Sequence, residues 1–205
     1  MKHIKIALTG KMRSGKDTVY GILRDEFEAP SLGDKAQVDQ YTFGGRLKHF
    51  AHELFPDELS KGKPRKLYQE FGQLMRQIDP NVWINQVHKE ISQAEVVDEH
   101  DSIVVSIITD LRQPNEYKYC RDNGFHIIRI KASDETRMAR MKADGDNVSL
   151  GDLKHETETY VDSYDVDYEI DNDSLSSSSI YNIELQVEKI VADILTKEDG
   201  NNEQI

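Results

Sequence analysis

The sequence predicts an α/β protein built as a three-layer parallel sheet with helices on both faces. Short apolar, β-branched runs alternate with longer segments whose apolar residues recur at helical spacing. One run, residues 102–109 (SIVVSIIT), is almost wholly apolar, as expected of a central parallel strand that is covered on both faces. In such a sheet, the loops at the carboxyl ends of the strands form the ligand crevice.

The same periodicities give the order of the elements. Strands are predicted at residues 4–8, 41–43, 102–109, 125–130 and 166–170. Helices are predicted at residues 18–27, 47–54, 67–78, 82–94, 115–123 and 134–142, and a closing helix carries an apolar stripe from Ile183 to Ile194. Residues 29–40 are predicted to be a loop, because proline, glycine and aspartate interrupt them.

The length of 205 residues suits one well-buried core. We therefore predict a single domain over residues 1–196, with a helical insertion at about 44–95 and a lid at about 137–155. The polar segments 56–66 and 143–152 are the candidate lids, and residues 197–205 are expected to be a flexible tail.

The composition argues against several classes of protein. The formal net charge of −12 disfavours docking on duplex DNA or on an anionic membrane. The single cysteine, Cys120, excludes an internal disulfide and a cysteine-rich metal site. No apolar run approaches the roughly 18 residues that a membrane span requires. We expect a soluble cytoplasmic protein without duplex nucleic acid or a membrane as a partner, and the sequence leaves open whether it forms a homodimer.

A phosphate-binding motif separates the first predicted strand from the first predicted helix. Residues Gly10-Lys11-Met12-Arg13-Ser14-Gly15-Lys16 match the pattern G-x-x-x-x-G-K. Glycines allow consecutive backbone N–H groups to turn inward around an anion, and the following helix adds its positive N-terminal dipole. Lys16 can then span the β- and γ-phosphates. The motif and its position predict a P-loop that binds a nucleoside triphosphate.

The P-loop departs from the common motif at one position. The residue after Lys16 is usually Ser or Thr, whose hydroxyl binds Mg²⁺. Here it is Asp17, followed by Thr18. A carboxylate can also hold Mg²⁺ directly or through water. Alternatively, Asp17 favours the helix N-terminus and Thr18 faces the metal, and the sequence leaves both arrangements open.

Three segments resemble phage-type deoxynucleoside monophosphate kinases. The family's P-loop carries the variant R-S-G-K-D-T that is found at residues 13–18. Residues 67–76 (LYQEFGQLMR) with 79–83 (DPNVW), and residues 109–116 (TDLRQPNE), are similar to two further segments of the family. The likeness in sequence ends near residue 125. Animal-type phosphomevalonate kinases share a similar S-G-K-D and D-x-R, and they are the alternative.

The resemblance implies a nucleoside monophosphate kinase-like P-loop NTPase with lid segments. Its activity would transfer the γ-phosphate of ATP, with Mg²⁺, to a deoxynucleoside 5′-monophosphate and give the diphosphate. A phage origin, with the host cytoplasm as the workplace, is also implied. Such chemistry depends on positioning and electrostatics, so no general base or covalent nucleophile is expected. A GTPase would need an N-K-x-D motif, which the sequence lacks. A non-catalytic nucleotide-binding module remains a further alternative, because of Asp17.

Charged residues after the strands are the candidates for catalysis. Asp110 follows the most apolar strand, where it can orient Mg²⁺, position the acceptor phosphate or simply end the strand. Arg112 lies on the same rim, and a guanidinium suits bidentate phosphate binding. In the kinases that this chain resembles, lid arginines close over the triphosphate, which implies this role for Arg137 and Arg140. Arg13, inside the loop, is expected to act similarly, and each arginine has the alternative of a plain surface position.

Residues of the insertion are the candidates for binding the acceptor. Gln69, Gly72 and Arg76 lie at spacings of three and four on one helical face, which is polar and therefore either binds substrate or faces solvent. Trp83 either stacks on a base or belongs to the core. The other candidates are the basic residues Arg46, Lys48 and Arg65. The predicted magnesium ligands are Asp17, Thr18 and Asp110.

Overall fold

The computed structural model describes residues 2–29, 36–59, 64–96, 103–144, 160–174 and 178–202. The strands are β1 (Lys2–Thr9), β2 (Ala36–Tyr41), β3 (Ile103–Leu111), β4 (His126–Lys131) and β5 (Tyr168–Asp171). The helices are α1 (Lys16–Phe27), α2 (Phe43–Leu54), α3 (Pro56–Leu59), α4 (Arg65–Ile78), α5 (Val82–Val96), α6 (Pro114–Asp122), α7 (Asp134–Ala143) and α8 (Ser178–Asn202).

The strands form one parallel sheet in the order β2-β3-β1-β4-β5. Alternate residues of the central strands face opposite sides, because side chains of a strand alternate with a period of two. Ile4, Ile6 and Leu8 face α1 and α8 in one apolar core. Ala7 of β1, Ile108 and Leu111 of β3, and Ile127 of β4 pack with residues of α2, α5 and α6 in a second core. The predicted three-layer α/β class is therefore confirmed.

All strands run in parallel, so their carboxyl ends meet at one edge of the sheet. The loop after β1 leads directly into α1 at this edge. Thr9 pairs in register with Leu111, and the Thr9 hydroxyl donates to the Leu111 carbonyl at 3.0 Å. Gly10, which follows β1, and Arg112, which follows β3, therefore lie side by side where the chain leaves the sheet. Four helices, α2 to α5, lie between β2 and β3 in the chain.

Several predicted boundaries were wrong. The second strand covers Ala36–Tyr41: residues 36–40 were predicted to be a loop, only Tyr41 of the predicted strand 41–43 is in it, and Phe43 already belongs to α2. The last helix continues to Asn202, so residues 197–202 are not a tail. Residues 137–143 of the predicted lid lie in α7, whereas residues 145–159 fall outside the described residues. The candidate lid at 56–66 contains α3 and the start of α4, and residues 60–63 are not described. Among the described helices, none has the length and apolar composition needed to span a bilayer.

Candidate active site

The loop at residues 10–16, called the phosphate loop below, has a backbone that glycine makes possible. Gly10 and Gly15 have φ values of +147° and +100°, which side chains rarely tolerate. A Cβ atom on Gly10 would lie 2.5 Å from the Ile130 carbonyl oxygen, and one on Gly15 would lie 2.1 Å from Asn172 Nδ2. The two glycines therefore allow the loop to approach both β4 and the segment after β5.

The concave side of the phosphate loop carries groups suited to an anion. The Lys16 side chain is buried, and its Nζ donates to the carbonyls of Gly10 at 2.8 Å and Lys11 at 3.0 Å. Gly15 is the N-cap of α1, and no described side chain caps this helix. Its first N–H groups and its dipole therefore face the loop without a side-chain acceptor.

Ser14 provides a test of whether the loop fits a phosphate. Its Oγ is buried and forms no hydrogen bond with any described residue. Buried hydroxyls in proteins nearly always have a partner. An oxygen of a phosphate held inside the loop would supply one, so the residues present fit the ligand that the motif predicts.

Arg137 and Arg140 support the phosphate loop from α7. Arg137 is 3% exposed, donates from Nε to the Met12 carbonyl at 2.7 Å and pairs with Asp134 at 2.7 Å. Arg140 donates from Nη1 to the carbonyls of Arg13 and Ser14, at 3.2 and 3.3 Å. In this structure the two guanidinium groups hold the backbone of the loop, and their predicted role of closing over the triphosphate stays a prediction. Arg13 pairs with Asp144 at the end of α7.

Asn172 completes this support, and sequence reasoning missed it. Its Nδ2 donates to the Ser14 carbonyl at 2.8 Å, and its own carbonyl and Oδ1 both accept from Arg140 Nη2 at 2.9 Å. Asn172 directly follows β5, at the edge where the strands end. Its position after the last predicted strand was the available signal.

A cleft of about 540 Å³ opens beside the phosphate loop. The ends of β4 and β5, with the residues that follow them, form most of its wall, and the Lys11 ammonium pairs with Asp162 there at 2.6 Å. The lining residues are Lys11, Ile130, Lys131, Ala132, Ser133, Asp162, Glu169, Asp171, Asp173 and Gln186. A ligand in this cleft would be adjacent to the phosphate loop.

A second group of charged side chains lies where β3 ends. We call Arg76, Asp110, Arg112 and Glu116 the β3 rim cluster. Asp110 accepts from the backbone N–H groups of Phe43 and Gly44, at 2.8 and 2.9 Å, and so caps α2. Burial raises the pKa of Asp110, while these two hydrogen bonds and the nearby charges of Arg112 and Lys48 oppose the rise.

Both carboxylate oxygens of Asp110 accept hydrogen bonds from the N-terminus of α2. The structure therefore gives no support to the prediction that Asp110 binds magnesium. Asp17 and Thr18, in the first turn of α1, are both exposed and remain the candidate magnesium ligands. Within the described parts of the chain, no three His, Cys, Asp or Glu side chains are grouped to hold a metal. A magnesium site here would therefore rely on the first turn of α1 and on the phosphates of the substrate.

Glu116 was also missed. It is 4% exposed, and its Oε2 accepts from the backbone N–H groups of Arg112 at 3.0 Å and Gln113 at 2.9 Å. Arg76 Nη2 lies 3.9 Å from its Oε1. Burial, and to a smaller extent the Asp110 charge, raise the pKa of Glu116 to about 7. Gln113 and Glu116 have the spacing of a capping box, which the sequence could have revealed.

The structure separates the predicted acceptor residues. Arg76 and Lys48 lie close enough to Asp110 to interact electrostatically with its carboxylate. Gln69 is exposed on α4. Arg46 pairs closely with Glu90 of α5, which gives it a role between helices. A Cβ on Gly72 would lie 2.4 Å from Leu47 Cδ1, so this glycine permits α2 and α4 to pack. Of Arg65, only its backbone position at the start of α4 is described.

Trp83 belongs to the core. It is 2% exposed, and its ring lies 6.0 Å from that of Phe71, centroid to centroid. It packs among the apolar residues under α2 and α5. The predicted stacking of Trp83 on a base was therefore wrong, and the alternative of a core residue is confirmed.

Comparisons with known proteins agree with this fold. The AAA domain family matches residues 6–161, and the chain belongs to this family. TT1252 from Thermus thermophilus has a similar structure at 17% identity, with a TM-score of 0.54, covering 94% of this chain and 98% of that one. A shikimate kinase from Acinetobacter baumannii in complex with shikimate is similar at 12% identity, with a TM-score of 0.51 and coverage of 93% and 94%. None of the curated protein sequences matches.

These similarities confirm the predicted P-loop NTPase fold, which the shikimate kinase shares. They do not single out the phage-type deoxynucleoside monophosphate kinases that three segments of the sequence resemble.

Proposed function

We propose that this protein is a small-molecule kinase that transfers the γ-phosphate of ATP to a deoxynucleoside 5′-monophosphate. The observation that carries the proposal is the register of β1 and β3. Because Thr9 pairs with Leu111, the phosphate loop and the β3 rim cluster leave the sheet side by side. A donor phosphate on Lys16 and an acceptor phosphate near Arg76 and Arg112 would then share one crevice.

The residues of this chain would act by position and charge. Lys16 and the N-terminus of α1 would stabilise the charge that develops on the transferred group, while Arg137, Arg140 and Asn172 keep the loop in shape. Asp17 and Thr18 would hold Mg²⁺, which would neutralise negative charge on the phosphates of ATP. The cleft beside Lys11 has the room and the position for the nucleoside of ATP.

A second candidate is a kinase of a small metabolite without a base, of the phosphomevalonate or shikimate type. The burial of Trp83 favours it, because the chain's only tryptophan is then not available to stack on a base. The structural similarity to a shikimate kinase agrees with the same class of reaction.

An assay of ADP release tests both candidates. The wild type is given ATP and Mg²⁺ with each deoxynucleoside monophosphate, each ribonucleoside monophosphate, phosphomevalonate or shikimate. A deoxynucleoside monophosphate is expected to raise ADP release about ten-fold or more above ATP alone, because a kinase site suppresses hydrolysis until its acceptor is bound. Stimulation by phosphomevalonate or shikimate alone would favour the second candidate, and stimulation by no acceptor would contradict the kinase proposal.

A further inference from the structure

Glu116 joins two parts of the β3 rim cluster that come from distant elements. One oxygen, Oε2, accepts from the N–H groups of Arg112 and Gln113 and so fixes the turn between β3 and α6. The other, Oε1, lies 3.9 Å from Arg76 Nη2 of α4. A single buried carboxylate therefore positions the backbone of one predicted phosphate-binding arginine and the side chain of another.

The contact with Glu116 positions Arg76 but does not engage all the hydrogen-bond donors of its guanidinium group. Its side chain is 24% exposed, and it passes Gly72, where a Cβ would lie 3.4 Å from Arg76 Nη1. The distance to Oε1 exceeds that of a direct hydrogen bond, so the pair is an electrostatic contact. The planar guanidinium in this position retains donors for an anionic group such as phosphate.

We propose that Glu116 controls acceptor binding as the counter-ion of Arg76: Oε2 fixes the 112–113 turn, and Oε1 competes with the acceptor phosphate for the Arg76 guanidinium. The proposal rests on the proposed function and gives a role to Glu116, which lies in the 109–116 segment but received no role from the resemblance. Glu116 would not contact the reacting atoms. It would act through Arg76 and Arg112.

The charges around Glu116 determine how acceptor binding should depend on pH. Four ionisable groups interact with Glu116: Arg76 of α4, Asp110 of β3, Cys120 of α6 and Tyr164 of the segment before β5. Burial raises the pKa of Glu116 to about 7. Below this pH the neutral carboxyl leaves Arg76 to the acceptor. Above it, the carboxylate competes for Arg76 and repels the phosphate, so acceptor binding should weaken.

The test compares the wild type with Glu116→Gln. Glutamine keeps a carbonyl oxygen for the N–H groups of Arg112 and Gln113 but carries no charge at any pH. The KM for the acceptor is measured from pH 6 to pH 8, and the wild-type value is divided by the variant's. This ratio cancels the titration of the acceptor's own phosphate. Glu70→Gln removes an exposed carboxylate from the same helix as Arg76 and serves as the matched control.

The KM ratio is expected to lie near one at pH 6 and to rise to about five-fold at pH 8, with its midpoint near pH 7. The KM for ATP should stay the same in both proteins, and the control ratio should stay flat. A flat ratio for Glu116→Gln in an active enzyme would overturn the inference and leave the proposed function intact. Absence of any acceptor-stimulated activity in the wild type would overturn both.

Discussion

Gly10 shows how strictly a single residue is constrained in the phosphate loop. Its φ of +147° lies outside the range of side-chain-bearing residues, and the space for a Cβ is taken by a backbone carbonyl of β4. A backbone atom in a central strand moves far less readily than the end of a side chain. Gly21 of α1 is a contrasting case, since a Cβ there meets no atom within 4 Å.

Gly10→Ala is expected to abolish ATP binding and to lower the free energy of unfolding by about 2–4 kcal/mol, from backbone strain and the clash with Ile130. Gly21→Ala should instead raise it by about 0.5–1 kcal/mol, because alanine is the better helix former. Urea unfolding and calorimetric titration with ATP measure both effects. ATP binding by Gly10→Ala with wild-type affinity would contradict the assigned loop geometry.

Single residues differed in how far the sequence revealed them. Residues 10–16 were recognisable because their spacing in the chain is itself the binding geometry. Glu116 and Asn172 act through contacts with residues far away in sequence, at Arg76 and Ser14. A local sequence pattern does not predict contacts between residues that are far apart in the chain. Trp83 was ambiguous for a related reason, since an aromatic residue on an apolar helix face looks the same whether it meets a base or Phe71.

At the scale of elements, α7 and the segment after β5 act together as a support for the phosphate loop. Arg140 Nη2 also reaches the Ser174 carbonyl at 3.1 Å, so one guanidinium contacts two segments that are far apart in the chain. Burial lowers the pKa of Arg140, which still stays charged under ordinary conditions. The support is therefore independent of pH near neutrality.

Arg140→Ala should weaken ATP binding about ten-fold and cost about 1–3 kcal/mol of stability, because it removes the hydrogen bonds from Arg140 to the carbonyls of Arg13 and Ser14. Arg24→Ala removes an exposed arginine of α1, paired with its neighbour Asp25, and should leave both ATP binding and stability close to those of the wild type. Thermal unfolding with and without ATP distinguishes the two variants. Equal behaviour of the two would contradict a supporting role for α7.

Two elements differed from prediction for reasons of tertiary structure. β2 is polar in sequence (AQVDQY) because it is an edge strand whose residues are only partly buried. Its polarity made it look like part of a loop. The end of α8 is polar as well, yet Lys2 of β1 donates to Asp199 at 2.8 Å and to the Leu195 carbonyl at 3.2 Å. These contacts from the first strand extend the helix beyond its apolar stripe.

At the scale of the whole molecule, Glu116 should make stability depend on pH. Its pKa is raised from 4.5 to about 7 in the folded protein, so the unfolded chain releases this proton at lower pH. Between these values the folded state binds more protons, and the free energy of unfolding falls as pH rises. The full shift corresponds to a contribution on the order of 3 kcal/mol.

Glu116→Gln should therefore be more stable than the wild type by about 1–3 kcal/mol at pH 8 and about equal to it at pH 5. Other titrating groups are common to both proteins, so their effects cancel in the difference. Urea unfolding of both proteins at pH 5 and pH 8 measures this difference in the free energy of unfolding. A wild type that is the more stable protein at pH 8 would show that the carboxylate is a net stabiliser and that its charge is not penalised by burial.

The most direct test of the kinase assignment follows labelled phosphate from ATP to the acceptor. ATP labelled at the γ-phosphate is incubated with the wild type, or with Lys16→Ala, and each deoxynucleoside monophosphate, and the labelled products are separated. We expect the wild type to form labelled deoxynucleoside diphosphate, and Lys16→Ala to form it at least about 100-fold more slowly. Label appearing only as inorganic phosphate, or equal transfer by Lys16→Ala, would contradict a phosphoryl-transfer site built on the phosphate loop.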